Sequence, residues 1–204
     1  MIDIESHINA THRDVTRDDE RVTVVLKRTY DAEVADVWDA LTDPDRMKRW
    51  FMPISGDLRP GGNFQLEGNA GGQILECEPP GRYKVTFGDV SSIVEVRLSP
   101  AGDERTDFVL EHSVPLAMAQ SGAGAFTVGP GWDGALLGLA LFVTGEVQPG
   151  DDPAEAARSE EALRYSKASV QAWEKAVAAS GTATAEEIAQ GKAMAEQFFA
   201  PGIN

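Results

Sequence analysis

The chain has 204 residues, 42% of them hydrophobic and 25% charged, a balance that suits one globular domain, alone or with an appendage, and a core that needs no metal or disulfide staple. A formal net charge of −15 is the reverse of what a phosphate backbone or an anionic bilayer attracts, so nucleic acid and membrane are not expected partners. Cys77 is the single cysteine, which excludes an intrachain disulfide and gives no support to an oxidising compartment.

Residues 1–15 lack the basic start and apolar run of a secretory signal, and the most apolar segment, residues 135–143, is too short to span a bilayer. A cytoplasmic location is the expectation. Within residues 3–15, Ile4, Ile8, Thr11 and Val15 recur at steps of three and four, which predicts a short amphipathic helix. RDDER (17–21) is a polar break, and VTVVLKRTY (22–30) reads as a strand. Val34, Val37, Trp38 and Leu41 then fall on one face of a helix. Asp43 followed by Pro44 is an N-cap with proline at the first helical position, so a second helix starts there, with Met47, Trp50 and Phe51 as its apolar stripe and Arg46, Lys48 and Arg49 on its solvated outer face.

From 54 to 113 short runs alternate with turn signals: RPGG (59–62), GNAGG (68–72), EPPGR (78–82), FGDVSS (87–92) and SPAGDE (99–104). Such spacing predicts an antiparallel meander rather than βαβ units. Tyr83, Val85 and Phe87 alternate in one strand; Phe108, Leu110 and His112 alternate in the last. After a Gly- and Ala-rich stretch (119–131), WDGALLGLALFVTGE opens a helix apolar on most of its circumference, which needs cover on both sides. QPGDDP (148–153) reads as a linker whose Asp152 and Pro153 start a helix carrying Leu163, Val170, Trp173 and Val177 and ending near Gly181. Thr184 and Glu187 form a capping box for a last helix that runs to Phe199.

Strand, helix pair, antiparallel meander and long helix is the order of the helix-grip arrangement. RTYDAEVADVWDALTDPDRMKRWF, GDLRPGGNF, GGQILECEPPGRYKVTF and GWDGALLGLAL resemble the bacterial branch of the activator of heat-shock protein ATPase homologues, within the superfamily of START domains, polyketide cyclases and the birch-pollen allergen. The similarity covers residues 22–145. It departs at Glu33, where the family usually has proline, and at Trp50–Phe51, where a tandem tryptophan pair is usual. The resemblance implies an α+β helix-grip fold, a curved antiparallel sheet wrapped around a long C-terminal helix with extra helices after it. The expected divisions are an N-terminal helical arm (1–21), the helix-grip domain (22–147) and a C-terminal helical extension (148–204). The arm and the extension lie outside the common domain and resemble extensions in an actinobacterial-type subgroup.

In this superfamily the space between sheet and long helix can hold an apolar ligand. The resemblance thus implies a cavity lined by Trp38, Trp50, Phe51, Phe64, Tyr83, Phe87, Phe108, His112, Trp132 and Leu136, the alternative being that the same rings fill the space themselves. Strand alternation puts His112 on the face of Phe108 and Leu110, where with Tyr83 it would orient a ligand; the plainer reading is a strand-end histidine satisfied by water or backbone.

Catalysis finds little footing. His7, His12 and His112 show no metal-ligand spacing, Ser121 lacks a nucleophile elbow, and RPGG is a hairpin turn rather than a phosphate loop. Cys77 sits beside Glu76 and Glu78, carboxylates that would raise the thiol's pKa. No catalytic residue, metal or cofactor is assigned. Burying Leu137, Leu141 and Phe142 is worth about 5–8 kcal/mol, so the C-terminal helices are expected to cover them, a homodimer through the same surface being the alternative. The leading expectation is non-enzymatic binding of a small apolar or amphipathic ligand. The others are a chaperone-interacting module, as the family name implies, and a cyclase- or hydrolase-like enzyme with Glu76 and His112 as acid and base.

Overall fold

A computed structural model describes residues 2–148 and 150–203. Helix α1 (Ile4–Asn9) and strands β1 (Thr11–Arg17) and β2 (Arg21–Tyr30) lead into helices α2 (Val34–Thr42) and α3 (Pro44–Met47). The meander follows: β3 (Ile54–Gly56), β4 (Asn63–Leu66), β5 (Gly71–Glu78), β6 (Arg82–Phe87), β7 (Asp89–Pro100) and β8 (Thr106–Pro115). Helix α4 (Leu116–Ala119) and a 3-10 turn (Gly122–Thr127) precede the long helix α5 (Gly129–Val143), and α6 (Pro153–Ala156), α7 (Glu160–Ser180) and α8 (Ala185–Phe199) close the chain. Among the described residues the strands form one eight-stranded sheet in the order β1-β2-β8-β7-β6-β5-β4-β3. It is antiparallel, curved and unclosed.

Residues cluster into two compact units. The first joins Met1–Leu26, Ser113–Leu137 and Glu155–Asn204; the second joins Lys27–His112 and Gly138–Ala154. The N-terminal arm and the C-terminal helices thus share one unit with residues 113–137.

In the first unit, the helix expected over residues 3–15 stops at Asn9. From Thr11 onward the chain is a strand, with Thr11 and Val15 buried. The three-and-four spacing is equally a period-two pattern from Thr11 to Arg13 to Val15, and β-branched Thr11, Val15 and Thr16 favour the extended form once neighbours are supplied. β1 finds them in β2 and in α7, which packs on it. The helix expected to start at Pro153 breaks after Ala156; α7 starts afresh, with the Ser159 hydroxyl accepting from the Ala162 amide at 3.1 Å. It ends where expected, at Gly181, whose φ of +66° is a left-handed cap. The capping box on α8 forms: the Thr184 hydroxyl accepts from the Glu187 amide at 3.3 Å, and the Glu187 carboxylate from the Thr184 amide at 2.7 Å. Of the linker 148–153, residue 149 lies outside the described residues.

In the second unit, α2 buries Val37, Trp38 and Ala40. The Asp43 carboxylate caps α3 by accepting from the Asp45 and Arg46 amides at 2.7 and 3.1 Å. α3 is only one turn long, so Trp50 and Phe51 follow it rather than lie on it. The strands alternate as the sequence suggests: β7 buries Ser92, Val94, Val96 and Leu98, and β8 buries Thr106, Phe108, Leu110 and His112.

Two glycines of α5 make opposite predictions. A Cβ at Gly129 would overlap the Trp173 indole, whereas one at Gly134 meets nothing within 4 Å. Gly129→Ala is expected to lower stability by about 1–3 kcal/mol through overpacking. Gly134→Ala should raise it by about 0.5–1 kcal/mol through helix propensity, both read as shifts in a denaturant midpoint.

Candidate ligand-binding site

The two faces of strands β5 to β8 are chemically distinct. Cross-strand partners share a face, and the register pairs Tyr83 with Cys77 on one side and Val96 on the other, and Val85 with Ile74 and Val94. Ser92 and His112 belong to the same buried face. The intervening residues point the other way and form a charged ladder. Arg82 pairs with Glu76 at 2.6 Å, Glu78 at 3.0 Å and Glu95 at 3.0 Å, and Arg97 with Glu95 at 2.7 Å and Glu111 at 2.5 Å. Arg82, and after it burial and Arg97, shape the Glu95 carboxyl, whose net pKa falls below its ordinary value.

Glu76 is therefore on the outer ladder, paired with Arg82 and Lys84, and not on the face of His112. An acid–base pair of Glu76 and His112 is ruled out by the pleat: Glu76 aligns with Lys84 while Cys77 aligns with Tyr83. The same alternation corrects the account of Cys77. Its thiol is pushed up by burial on the inner face, not by Glu76 and Glu78, which point away.

The polar groups on the inner face are few. His112 is 4% exposed, its Nε2 lies 2.8 Å from the Ser92 hydroxyl, and the Phe87 ring meets it edge-on at 5.8 Å. Tyr83 is half-buried, with the Trp38 ring edge-on at 6.1 Å. Burial, and secondarily Cys77, pushes the Tyr83 hydroxyl well above the usual phenol range, so it stays a protonated donor. No protein group among the described residues takes that hydrogen bond.

The remaining rings of the second unit are largely occupied by one another. Phe108 packs edge-on to Tyr30 at 5.7 Å, and Phe64, 8% exposed, lies across from Gly72. Trp50 donates its indole N–H to the Ala40 carbonyl at 2.9 Å and stacks between Phe51 at 5.3 Å and Phe142 at 6.5 Å. The Arg46 and Arg49 guanidiniums sit over the Phe142 ring at 5.2 and 5.0 Å. Both arginines thus cover an aromatic rather than a purely solvated face, and Phe142 is covered within its own unit. The other two candidates, half-buried Trp132 and buried Leu136, belong to the first unit.

The first unit holds a polar centre that sequence reasoning missed. Asp133 is fully buried, and its carboxylate accepts from Arg13 Nε at 2.8 and 3.1 Å, from the Trp173 indole at 2.9 Å, and from the Ser169 hydroxyl. Arg13 Nη1 donates to the Ile8 and Thr11 carbonyls at 2.9 and 2.7 Å, and the Tyr165 hydroxyl to the Asp133 carbonyl at 3.3 Å. Burial raises the Asp133 carboxyl against the lowering by Arg13, Ser169 and Trp173. The signal available was a single acid inside an otherwise apolar run, GWDGALLGLAL. Among the described residues no group of His, Cys, Asp and Glu side chains has the arrangement of a metal site, and no helix is long and apolar enough to cross a membrane.

Asp133→Ala leaves the Arg13 guanidinium buried without its counter-charge, and is expected to cost about 3–5 kcal/mol in chemical denaturation. Asp133→Asn, which keeps an acceptor oxygen, should cost less.

Residues 31–143, more than half of the chain, match the family described as Activator of Hsp90 ATPase homolog 1-like protein. Among solved structures, the crystal structure of CalU16 from Micromonospora echinospora is 39% identical, aligns over 82% of this chain and 98% of that one, and superposes with a TM-score of 0.67. The solution structure of CalU16 gives 38% identity, 84% and 97% coverage, and a TM-score of 0.70. A conserved protein of Enterococcus faecalis, EF2215, is 16% identical over 85% of this chain and 95% of its own, with a TM-score of 0.59, and shares the fold. Comparison with curated proteins returned no match. The neighbours are helix-grip proteins, and so is this α+β chain. On the span and the specificity of these matches, the chain belongs to the Activator of Hsp90 ATPase homolog 1-like family.

Proposed function

We propose that the protein binds a small apolar or amphipathic molecule, without chemical turnover, against the buried face of strands β5 to β8 in its second unit. The observation that carries this reading is Tyr83. Its hydroxyl is desolvated enough to stay protonated at any physiological pH, yet no protein acceptor among the described residues takes its hydrogen bond. A half-buried hydroxyl donor that no described protein group accepts, on a wall otherwise apolar, is placed where a ligand can take its hydrogen bond. The surrounding residues suit a small-molecule site: apolar Val85, Val94 and Val96, the Trp38 ring, and one further polar point at the Ser92–His112 pair. The matching ligand has a flat or branched apolar body and an acceptor oxygen directed at Tyr83. The turnover alternative loses its acid, because Glu76 lies on the outer ladder. The family fold is also that of ligand-binding helix-grip proteins.

Native mass spectrometry of freshly purified protein, read beside fluorescence titration with 1-anilinonaphthalene-8-sulfonate, tests the proposal. A retained small molecule or saturable probe binding is expected. Tyr83→Phe should weaken probe binding about 5- to 10-fold, which is about 1–1.4 kcal/mol, while Glu76→Gln leaves it unchanged. No retained mass together with no saturable binding refutes it.

A second reading, contact with a heat-shock protein ATPase, is supported by the family description and by Val90, 84% exposed in the matched region. It requires that the protein stimulate an Hsp90-type ATPase and that Val90→Asp abolish the effect; unchanged turnover of the chaperone disposes of it.

A further inference from the structure

The two polar points on the inner face of the second unit stand well apart. Tyr83 is aligned with Val96 of β7, and Ser92 lies four residues from Val96 along the same strand, on the same face. At about 3.3 Å per residue, that separates the two by about 13 Å along β7. The row between them is apolar, filled by Val94 and its cross-strand partner Val85. A ring stands beside the polar group at each end, Trp38 edge-on to Tyr83 and Phe87 edge-on to His112.

The ends offer different hydrogen bonds. Tyr83 stays protonated and presents a donor. The Ser92 hydroxyl shares one bond with His112 Nε2 at 2.8 Å, which does not exhaust it. If it donates to the ring its lone pairs stay open, and if it accepts from the ring its proton does, so it suits a ligand hydroxyl with either tautomer. Among the described residues of these strands, the charged side chains lie elsewhere. The ladder from Glu76 to Glu111 points outward, and Asp89, exposed at the start of β7, accepts from the Ser91 amide at 2.8 Å. Arg28 of β2 is the buried cation of this unit, but it lies over the Tyr30 ring at 5.4 Å. It is also three strands across the sheet from β6, about 14 Å away. An ionised end-group would lose its hydration on this wall with no fixed counter-charge to replace it.

We propose that the ligand is an uncharged, elongated molecule with an oxygen function at each end, lying along β7 with its apolar middle over Val94, one end taken by Tyr83 and the other by Ser92. This class rests on the ligand-binding reading above and narrows it. A molecule with one polar end satisfies one point and sets apolar carbon against the other. A molecule with both oxygens at the same end does no better, and a carboxylate is disfavoured by its charge.

Displacement of N-phenyl-1-naphthylamine, an uncharged fluorescent probe, by two isomeric diols reads the spacing on the unmodified full chain. 1,8-Octanediol and 1,2-octanediol have the same atoms and differ only in how far apart their hydroxyls stand. A featureless apolar wall ranks the 1,2 isomer first, because its alkyl tail is unbroken. The proposal reverses that order: 1,8-octanediol should bind about 3- to 10-fold more tightly, the worth of one further hydrogen bond. Octanoate at neutral pH should bind at least about tenfold more weakly than 1-octanol. Ser92→Ala, its fold checked by circular dichroism, should abolish the preference between the diols. Equal or tighter binding of the 1,2 isomer overturns the class, as does octanoate binding more tightly than 1-octanol, or a folded Ser92→Ala protein that keeps the preference. Saturable probe binding that neither diol displaces also overturns it, and in all four cases the ligand-binding reading stands. Absence of any binding, by probe or diol, with no small molecule retained in native mass spectrometry, overturns both.

Discussion

The first unit hangs on a carboxylate that has no water. Removing Asp133 from solvent would cost several kcal/mol if nothing replaced its hydration, on the order of what a whole domain has to spare. Its replacements are named groups on distant stretches of chain: the Arg13 guanidinium of β1 and the Ser169 hydroxyl and Trp173 indole of α7. The constraint propagates from there. Arg13 can reach Asp133 only if β1 is extended, since Thr11, Arg13 and Val15 then share one face. Its second nitrogen holds the carbonyls of Ile8 and Thr11, at the corner where α1 turns into β1. Gly129, one turn before Asp133, must lack a Cβ because the Trp173 ring that serves the carboxylate lies against it. One acid thereby dictates a strand, a helix register and a glycine.

The second unit is organised by a different rule, the period of two. The outer face of β5 to β8 is a run of ion pairs centred on Arg82 and Glu95, each partly exposed and individually worth little. Their collective effect is to assign sides. With Glu76, Glu78, Lys84, Glu95, Arg97 and Glu111 all outward, the residues between them have to face inward, and Tyr83, Cys77, Ser92 and His112 are carried there among valines and rings. A polar group in that setting needs a partner. Ser92 and His112 have each other, whereas no group among the described residues takes the Tyr83 hydroxyl.

Much of this was legible before any tertiary structure. The capping signals of α3 and α8, the glycine end of α7 and the alternation of β6 to β8 are local, set by neighbours within four residues, and each formed as its pattern implies. The motifs of residues 22–145 carried the family and the fold class. What misled were patterns with two local solutions. Ile4, Ile8, Thr11 and Val15 satisfy a helix as well as a helix followed by a strand, and only pairing with β2 and packing on α7 decides between them. Glu76 looked available as an acid because a single strand does not reveal which of its faces is covered; the partner Lys84 does. Arg46 and Arg49 read as solvated charges, since nothing nearby in sequence shows that Phe142, almost a hundred residues on, supplies a ring beneath them.

By itself, then, the sequence determined most of the elements and caps, the alternation along the strands β6 to β8 and the family, because these follow from short-range sterics, hydrogen bonding and periodicity. The tertiary structure decided which chemistry is brought together. The Arg13–Asp133–Ser169–Trp173 centre, the outward turn of Glu76 and the inward turn of Tyr83 each depend on residues outside their own stretch of chain. The reason is physical: a polar side chain's role is set by what replaces its water, and that is a property of its neighbours in space.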